Sequence, residues 1–271
     1  MKSSWCVVVF LWTEAFAGVV QPLTSAPQLL IPAAGSTPGA NGTFFHSDIS
    51  IINFADHSQN VRLQWLPQGV SASSSVTVTI GANGAMRSLD FVSNILGKSG
   101  LGAILVTGVS NSGDADATAA LYVNSRIWTT QPGTDGTTSQ SLPAVPLTTI
   151  NTSDASLFHL GSYDGSFRVN IGIVNLDPTN TQTFSVANPF AIVPITIAVV
   201  TLPPLSMQQI SVGSGPNFFL NIVRITNATV SSQHSNAWIA YGSTIDNVTG
   251  DAWSELAVVG APGLCCGPIW K

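Results

Sequence analysis

The sequence predicts an all-β protein, two tandem immunoglobulin-like β-sandwich units derived from an internal duplication. Three observations predict it. Only 8% of the 271 residues are charged, against roughly 25% in ordinary globular domains. With two glutamates and three lysines, the usual fillers of helix surfaces are nearly absent. Ser, Thr, Asn, Gly, Val and Ile, which suit strands and turns, take their place. Second, apolar residues recur with period two, the mark of strands with one face on a core. Third, one ten-residue run is written twice, as "FHSDISIINF" from Phe45 and "FRVNIGIVNL" from Phe167, 122 positions apart.

The elements follow in chain order. Residues 1–26 read as a secretory signal peptide: Lys2 supplies a positive start, Trp5 to Trp12 an apolar stretch, and Ala15-Phe16-Ala17 a cleavage site, with Thr24-Ser25-Ala26 as a second one. A membrane span needs about 20 apolar residues, and Thr13 and Glu14 interrupt this run. No membrane span is expected in the mature chain. The first sandwich is placed at 27–139. Its repeated run puts Phe45, Ser47, Ile49, Ile51 and Asn53 on one face, and His46, Asp48 and Ser50 on the other. "SVTVTIGANGAMRSL" from Ser75 and "AALYVNSRI" from Ala119 supply further strands. The second sandwich is placed at 140–262. Phe167, Val169, Ile171, Ile173 and Asn175 repeat the first face, with Arg168, Asn170 and Gly172 opposite. "IAVVTLPPLSMQQI" from Ile197 and "AWIAYGSTI" from Ala237 echo the later strands, the latter 118 positions after its counterpart. Each copy spans about 110–120 residues, the size of an immunoglobulin-like unit. The join near residue 140 is marked by turn formers. "LPAV" at Leu142 either opens the second copy or closes the first. Residues 263–271 form a tail holding the adjacent Cys265 and Cys266, too few cysteines for a disulfide framework. Phe45, Phe167, Asn53 and Asn175 read as structural, the asparagines because each follows an apolar strand and opens a turn, where a carboxamide bonds loop backbone.

The runs "FRVNIGIVN" and "YGSTIDNVTGD", with "LIPAAGSTPGANGTFFHSDISIIN", resemble a family of secreted bacterial proteins built from tandem β-sandwich units. The resemblance covers nearly the whole mature chain. It implies export and fold, and it carries over no catalytic residues, because that family has no established activity. The first copy departs from the pattern: it has His46-Ser47-Asp48 where the second has Arg168-Val169-Asn170, and it lacks the "DNVTGD" turn.

Motifs that carry chemistry are few. No G-x-S-x-G elbow is present, and "GKSGLG" from Gly97 lacks phosphate-loop spacing. His46, His57, His159 and His234 show no zinc spacing. A net charge of −5 without a basic patch argues against nucleic acid. No cofactor is implied. Calcium is the one candidate metal, with Asp114 and Asp116 in one loop and Asp246 and Asp251 in another, although turn chemistry is the preferred reading of both loops. Trp65, Trp128, Trp238 and Trp253 are candidates for a sugar platform or for the cores. Sequons begin at Asn41, Asn151, Asn227 and Asn247 and matter only in a eukaryotic secretory host.

The sequence thus points to a secreted or cell-surface protein, structural or adhesive and not an enzyme, whose partner is a protein or a cell-envelope glycan. Asp246, Asn247, Asp251 and Trp253 are its candidate binding residues. A carbohydrate-binding module using exposed tryptophans is the alternative, and a hydrolase with a loop-assembled triad ranks last.

Overall fold

The computed structural model describes residues 25–39, 42–72, 74–131, 133, 135–149, 154–158, 166–188, 195–212, 222–229 and 237–259. The predicted signal peptide as far as residue 24, His159, His234, the sequons at Asn41 and Asn151, and the 263–271 tail with Cys265 and Cys266 lie outside the described residues. What is described is all-β, and every pairing of named strands is antiparallel. No helix among the described residues is long and apolar enough to cross a membrane.

The first half contains β1 (Gln28–Pro38), β2 (Phe44–Asn53), β3 (Gln59–Pro67), β4 (Ser75–Ile80), β5 (Ala85–Ser88), the one-turn helix α1 (Phe91–Asn94), β6 (Gly100–Val109), β7 (Leu121–Thr130), β8 (Thr137–Ser141) and β9 (Val145–Pro146). One layer runs β4-β3-β6-β1-β9 and the other β5-β2-β7-β8. They join at one corner, where Thr37 and Pro38 pair with Phe45 and Phe44. The second half contains β10 (Ala155–Phe158), β11 (Phe167–Asn175), β12 (Gln182–Asn188), β13 (Ile195–Leu202), β14 (Ser206–Val212), β15 (Ile222–Asn227), β16 (Trp238–Asp246), β17 (Ala252–Leu256) and β18 (Val258–Val259). Its layers run β13-β12-β15-β10-β18 and β14-β11-β16-β17. Raising each strand number of the first half by nine reproduces the order of the second, strand for strand.

Both halves share the central pairs of an immunoglobulin domain, second strand with fifth and third with sixth. The outer strands differ. In an immunoglobulin constant domain the first strand lies beside the second and the seventh beside the sixth. Here β1 lies along β6, and β7 along β2. The segment after Leu142 forms β9 and bonds back to Leu29 and Leu30 of β1.

The predicted alternation is realised. Ser47, Ile49, Ile51 and Asn53 are buried, as are Val169, Ile171, Ile173 and Asn175. Between the layers of the first half Ile49 and Ile51 meet Leu29, Ile31, Leu63, Trp65, Ile104 and Val106. Between those of the second, Ile171 and Ile173 meet Phe184, Val186, Val223, Ile225 and Trp238. A register shift between Ile31 and Ala34 resets the phase of β1. It falls at Pro32, which has no N–H to donate and is tolerated at such bulges. Ala34 thereby returns to the first core.

A third core joins the halves. Leu30, Ala33, Leu66, Ala103, Leu142 and Val145 of the first half pack against Val174, Leu176, Met207, Ile239 and Tyr241 of the second. Layer β4-β3-β6-β1-β9 therefore buries part of its second face at Leu30, Ala33, Leu66, Ala103 and Val145, and layer β14-β11-β16-β17 does so at Val174, Met207, Ile239 and Tyr241. This explains why Val174 breaks the alternation of its strand. The sequence echoes need one adjustment here. Asn53 pairs with Leu121 and Asn175 with Trp238, which moves the match of the penultimate long strands by one residue. A one-residue slip exchanges the faces of a strand, so Leu121 and Trp238 are the equivalent core residues. Met86 and Met207 are not equivalents either: Met86 packs on the first core, Met207 on the core between the halves.

Asn53 and Asn175 carry matching bonds. Asn53 Nδ2 donates to the carbonyls of His57, Ile80 and Gly81, and its Oδ1 accepts from Ala55 N. Asn175 Nδ2 donates to Asn180, Leu202 and Pro203, and its Oδ1 accepts from Asp177 N and Gln182 Nε2. Each amide ties the end of its strand to two turns, satisfying carbonyls that would otherwise lie buried and unpaired.

Candidate functional site

The β16–β17 turn is built by its own side chains. Asp246 Oδ1 accepts from the backbone N–H groups of Val248 and Thr249 at 2.7 and 3.0 Å. Gly250 takes a φ of +75°, a conformation that favours glycine. The Thr249 amide, then the Val248 amide, hold the half-buried Asp246 carboxyl below its ordinary pKa. Asn247 Oδ1 accepts from Arg168 Nη1 at 3.1 Å. The turn also docks on the first half: Gln131 Nε2 donates to the Thr249 carbonyl, and Thr138 Oγ1 to that of Gly250 at 2.6 Å.

This docking closes a cleft between the halves. Its narrower part, about 150 Å³, is lined by Thr43, Thr138, Gln140, Asp246, Asn247 and Val248 among others. A wider part of about 670 Å³ continues past Gln68, Asn170, Gln209, Ser211 and Ser243. Phe45, Ile127, Gln140, Arg168 and Ile245 line both parts. The cleft thus has an apolar patch from Phe45, Ile127 and Ile245, hydroxyl and carboxamide walls, one arginine and one aspartate.

Of the four candidate binding residues, Asp246 and Asn247 line the cleft, whereas Asp251 and Trp253 do not. Asp251 Oδ1 accepts from Ala252 N. Trp253 packs edge-on against Phe167, with ring centroids 5.4 Å apart. Phe45 lies at the cleft rather than deep in a core. The other tryptophans divide. Trp65 and Trp238 are buried in the two sandwich cores. Trp128 stacks on His46 at 4.8 Å and donates to Asp48 Oδ1 at 2.8 Å.

The calcium candidates act as turn formers. Asp114 Oδ2 accepts from Ser112 Oγ, and Asp116 Oδ1 from Thr118 N and Oγ1. The Thr118 hydroxyl, then its amide, lower the Asp116 pKa. Among the described residues no three His, Cys, Asp or Glu side chains gather as a metal site would require. His46 Nδ1 lies 3.0 Å from Asp90 Oδ2, an ion-pair distance without hydrogen-bond alignment. His57 Nδ1 lies 3.1 Å from Asp56 Oδ1. Neither ring bonds a serine or threonine hydroxyl.

No protein-family model matches this chain, and no curated protein matches it. Arg168, Asn170, Gln68, Gln140 and Gln209 were not singled out as site residues by sequence reasoning. They come together through strand register and the stacking of the halves. The one available signal was the exchange of His46 for Arg168 at matching places in the repeated run.

Proposed function

We propose that this is a secreted, non-enzymatic binding protein, a structural or adhesive module acting at or outside the cell surface, and that the cleft between its halves holds the ligand. The observation that carries this reading is the cleft itself: both halves line it, and the β16–β17 turn closes it. Ligand sites favour such junctions and combine apolar patches with a few placed polar groups. The matched strand orders and the matched bonds of Asn53 and Asn175 support descent of the two immunoglobulin-like units from one duplicated unit. The apolar start of the chain and the resemblance to secreted bacterial tandem sandwiches support export. The glycan alternative is retained but moves from tryptophans to the cleft. Hydroxyls and carboxamides, which both donate and accept, complement sugar hydroxyls, and Phe45, Ile127 and Ile245 complement sugar C–H faces.

Pull-downs from cell-envelope fractions test the reading, run beside ester, peptide and glycoside substrates. Val248 lines the cleft and is 88% exposed, so Val248→Arg obstructs the site without disturbing a core. The expected result is retention of wild-type protein on envelope glycan, loss of retention in V248R, and no turnover. Retention on a protein alone replaces the glycan with a protein partner. Steady turnover abolished by one His or Ser substitution overturns the non-enzymatic reading.

A further inference from the structure

Several groups lining the cleft leave N–H donors without a protein partner among the described residues. Arg168 carries five N–H donors, and one bond, from Nη1 to Asn247 Oδ1, engages it. No carboxylate lies within ion-pair distance of it among the described residues. Three glutamines then present the same end. Gln209 Oε1 accepts from the Tyr241 hydroxyl at 2.9 Å. Gln140 Oε1 accepts from Ser243 Oγ at 2.8 Å. Gln68 Oε1 accepts from Gln209 N at 3.4 Å. In each case the amide nitrogen has no protein partner among the described residues, and the Asn170 side chain has none at either atom.

Strand register places several of these on one face. Asn170 lies opposite Ser211 and Ser243, Arg168 opposite Ile245, and Gly172 opposite both Gln209 and Tyr241. Tyr241 reaches Gln209 across Gly172, where a Cβ would lie 2.0 Å from its ring. Burial raises the Tyr241 pKa, so its hydroxyl remains a donor and keeps the carboxamide oxygen of Gln209 occupied.

The geometry points to an acidic sugar as the ligand, its carboxylate held by Arg168 and its acceptor oxygens by Gln68, Gln140, Gln209 and Asn170. This rests on the cleft reading above and adds the charge of the ligand. A planar carboxylate matches the guanidinium fork and can take two parallel N–H bonds. A single unpaired cation suits a single negative charge. Asp246 is the one acid lining either part of the cleft, and it lines the narrower part only. Its Oδ1 accepts from the amides of its own loop, while its Oδ2 accepts from no backbone amide among the described residues, so the ligand carboxylate belongs on the Arg168 side of the wider part. The first half offers no duplicate of the site. At the place of Arg168 it has His46, which already faces Asp90, and at the place of Asn170 it has Asp48, paired with Arg126 and Trp128.

The test titrates the mature protein with trigalacturonate and with its fully methyl-esterified form, which keeps the ring and removes the charge. Wild type should bind the acid about tenfold more tightly, the scale of one charge-assisted bidentate contact. Arg168→Gln should bind both forms alike, and Arg168→Lys should keep part of the preference. Arg168 belongs to none of the three cores, so R168Q should melt as wild type does. Equal binding of acid and ester by wild type overturns the carboxylate assignment and leaves the cleft reading standing, provided V248R abolishes both. Binding of neither form overturns the acidic-sugar assignment, while the cleft reading stands or falls with the loss of envelope retention in V248R.

Discussion

Ala26 and Leu121 exchange both backbone hydrogen bonds, at 2.9 Å from Ala26 N to Leu121 O and 3.1 Å in return. Ala26 is buried and belongs to the first core. Cleavage after Ala26 would remove this bridge from the folded protein, whereas cleavage after Ala17 keeps it. Gly18 is therefore the N-terminus expected if the proposed export signal is removed. N-terminal sequencing decides it, and a mature chain starting at Pro27 would contradict it.

Asn53→Ala and Asn175→Ala should each destabilise the protein by about 1–3 kcal/mol, the scale of leaving buried partners unsatisfied. The intact chain is the right sample, because separated halves would expose Leu30, Leu66, Ile239 and Tyr241. Denaturant melts of both variants should show lowered midpoints, in one cooperative transition shared by both halves. Wild-type midpoints would mean that the amides are dispensable.

Much of this fold was legible in the sequence, and the reason is local. Period-two alternation places Ile49, Ile51, Ile171 and Ile173 in cores without knowledge of their partners, and a strand-ending asparagine announces its turn. The core between the halves was not legible. Val174 makes both faces of its strand apolar in the sequence, but the layer that covers it, and the partnership of Leu30 and Leu66 with it, appear only when the halves stack. The cleft was half legible for the same reason. The turn at Asp246 has its own sequence signature, whereas Gln68, Gln140 and Gln209 belong to three strands or strand ends that meet only after the halves stack.

Gly172→Ala should cost about 1–3 kcal/mol, the usual penalty of overpacking, since the new methyl would collide with the Tyr241 ring. Displacing that ring also frees the Gln209 carboxamide, so ligand binding should weaken more than stability alone would require. A melt and a binding titration on the same sample separate the two effects. An unchanged melting temperature would show that Tyr241 does not lie across this glycine.

The Asp246 carboxylate gives the turn an acid-sensitive component. Its pKa is lowered in the folded protein from an ordinary 3.8, so its stabilisation is complete above 3.8 and is lost as pH falls through the lower folded value. Loop amides of Val248 and Thr249 should hold their chemical shifts above pH 4 and move below it. Asp246→Asn should abolish that acid-range movement, and a titration midpoint above 3.8 would contradict the assignment.

The most direct test of the account is a two-dimensional amide NMR titration of the labelled mature protein with solubilised cell-envelope glycan. The account predicts shifts grouped on Arg168, Asn170, Gln209, Ser243 and Val248, with the glycan recovered unaltered. Shifts centred instead on the outer face of β5, β2 and β7, around Arg87, Ser50 and Asn124, or a glycan consumed during the titration, would contradict it.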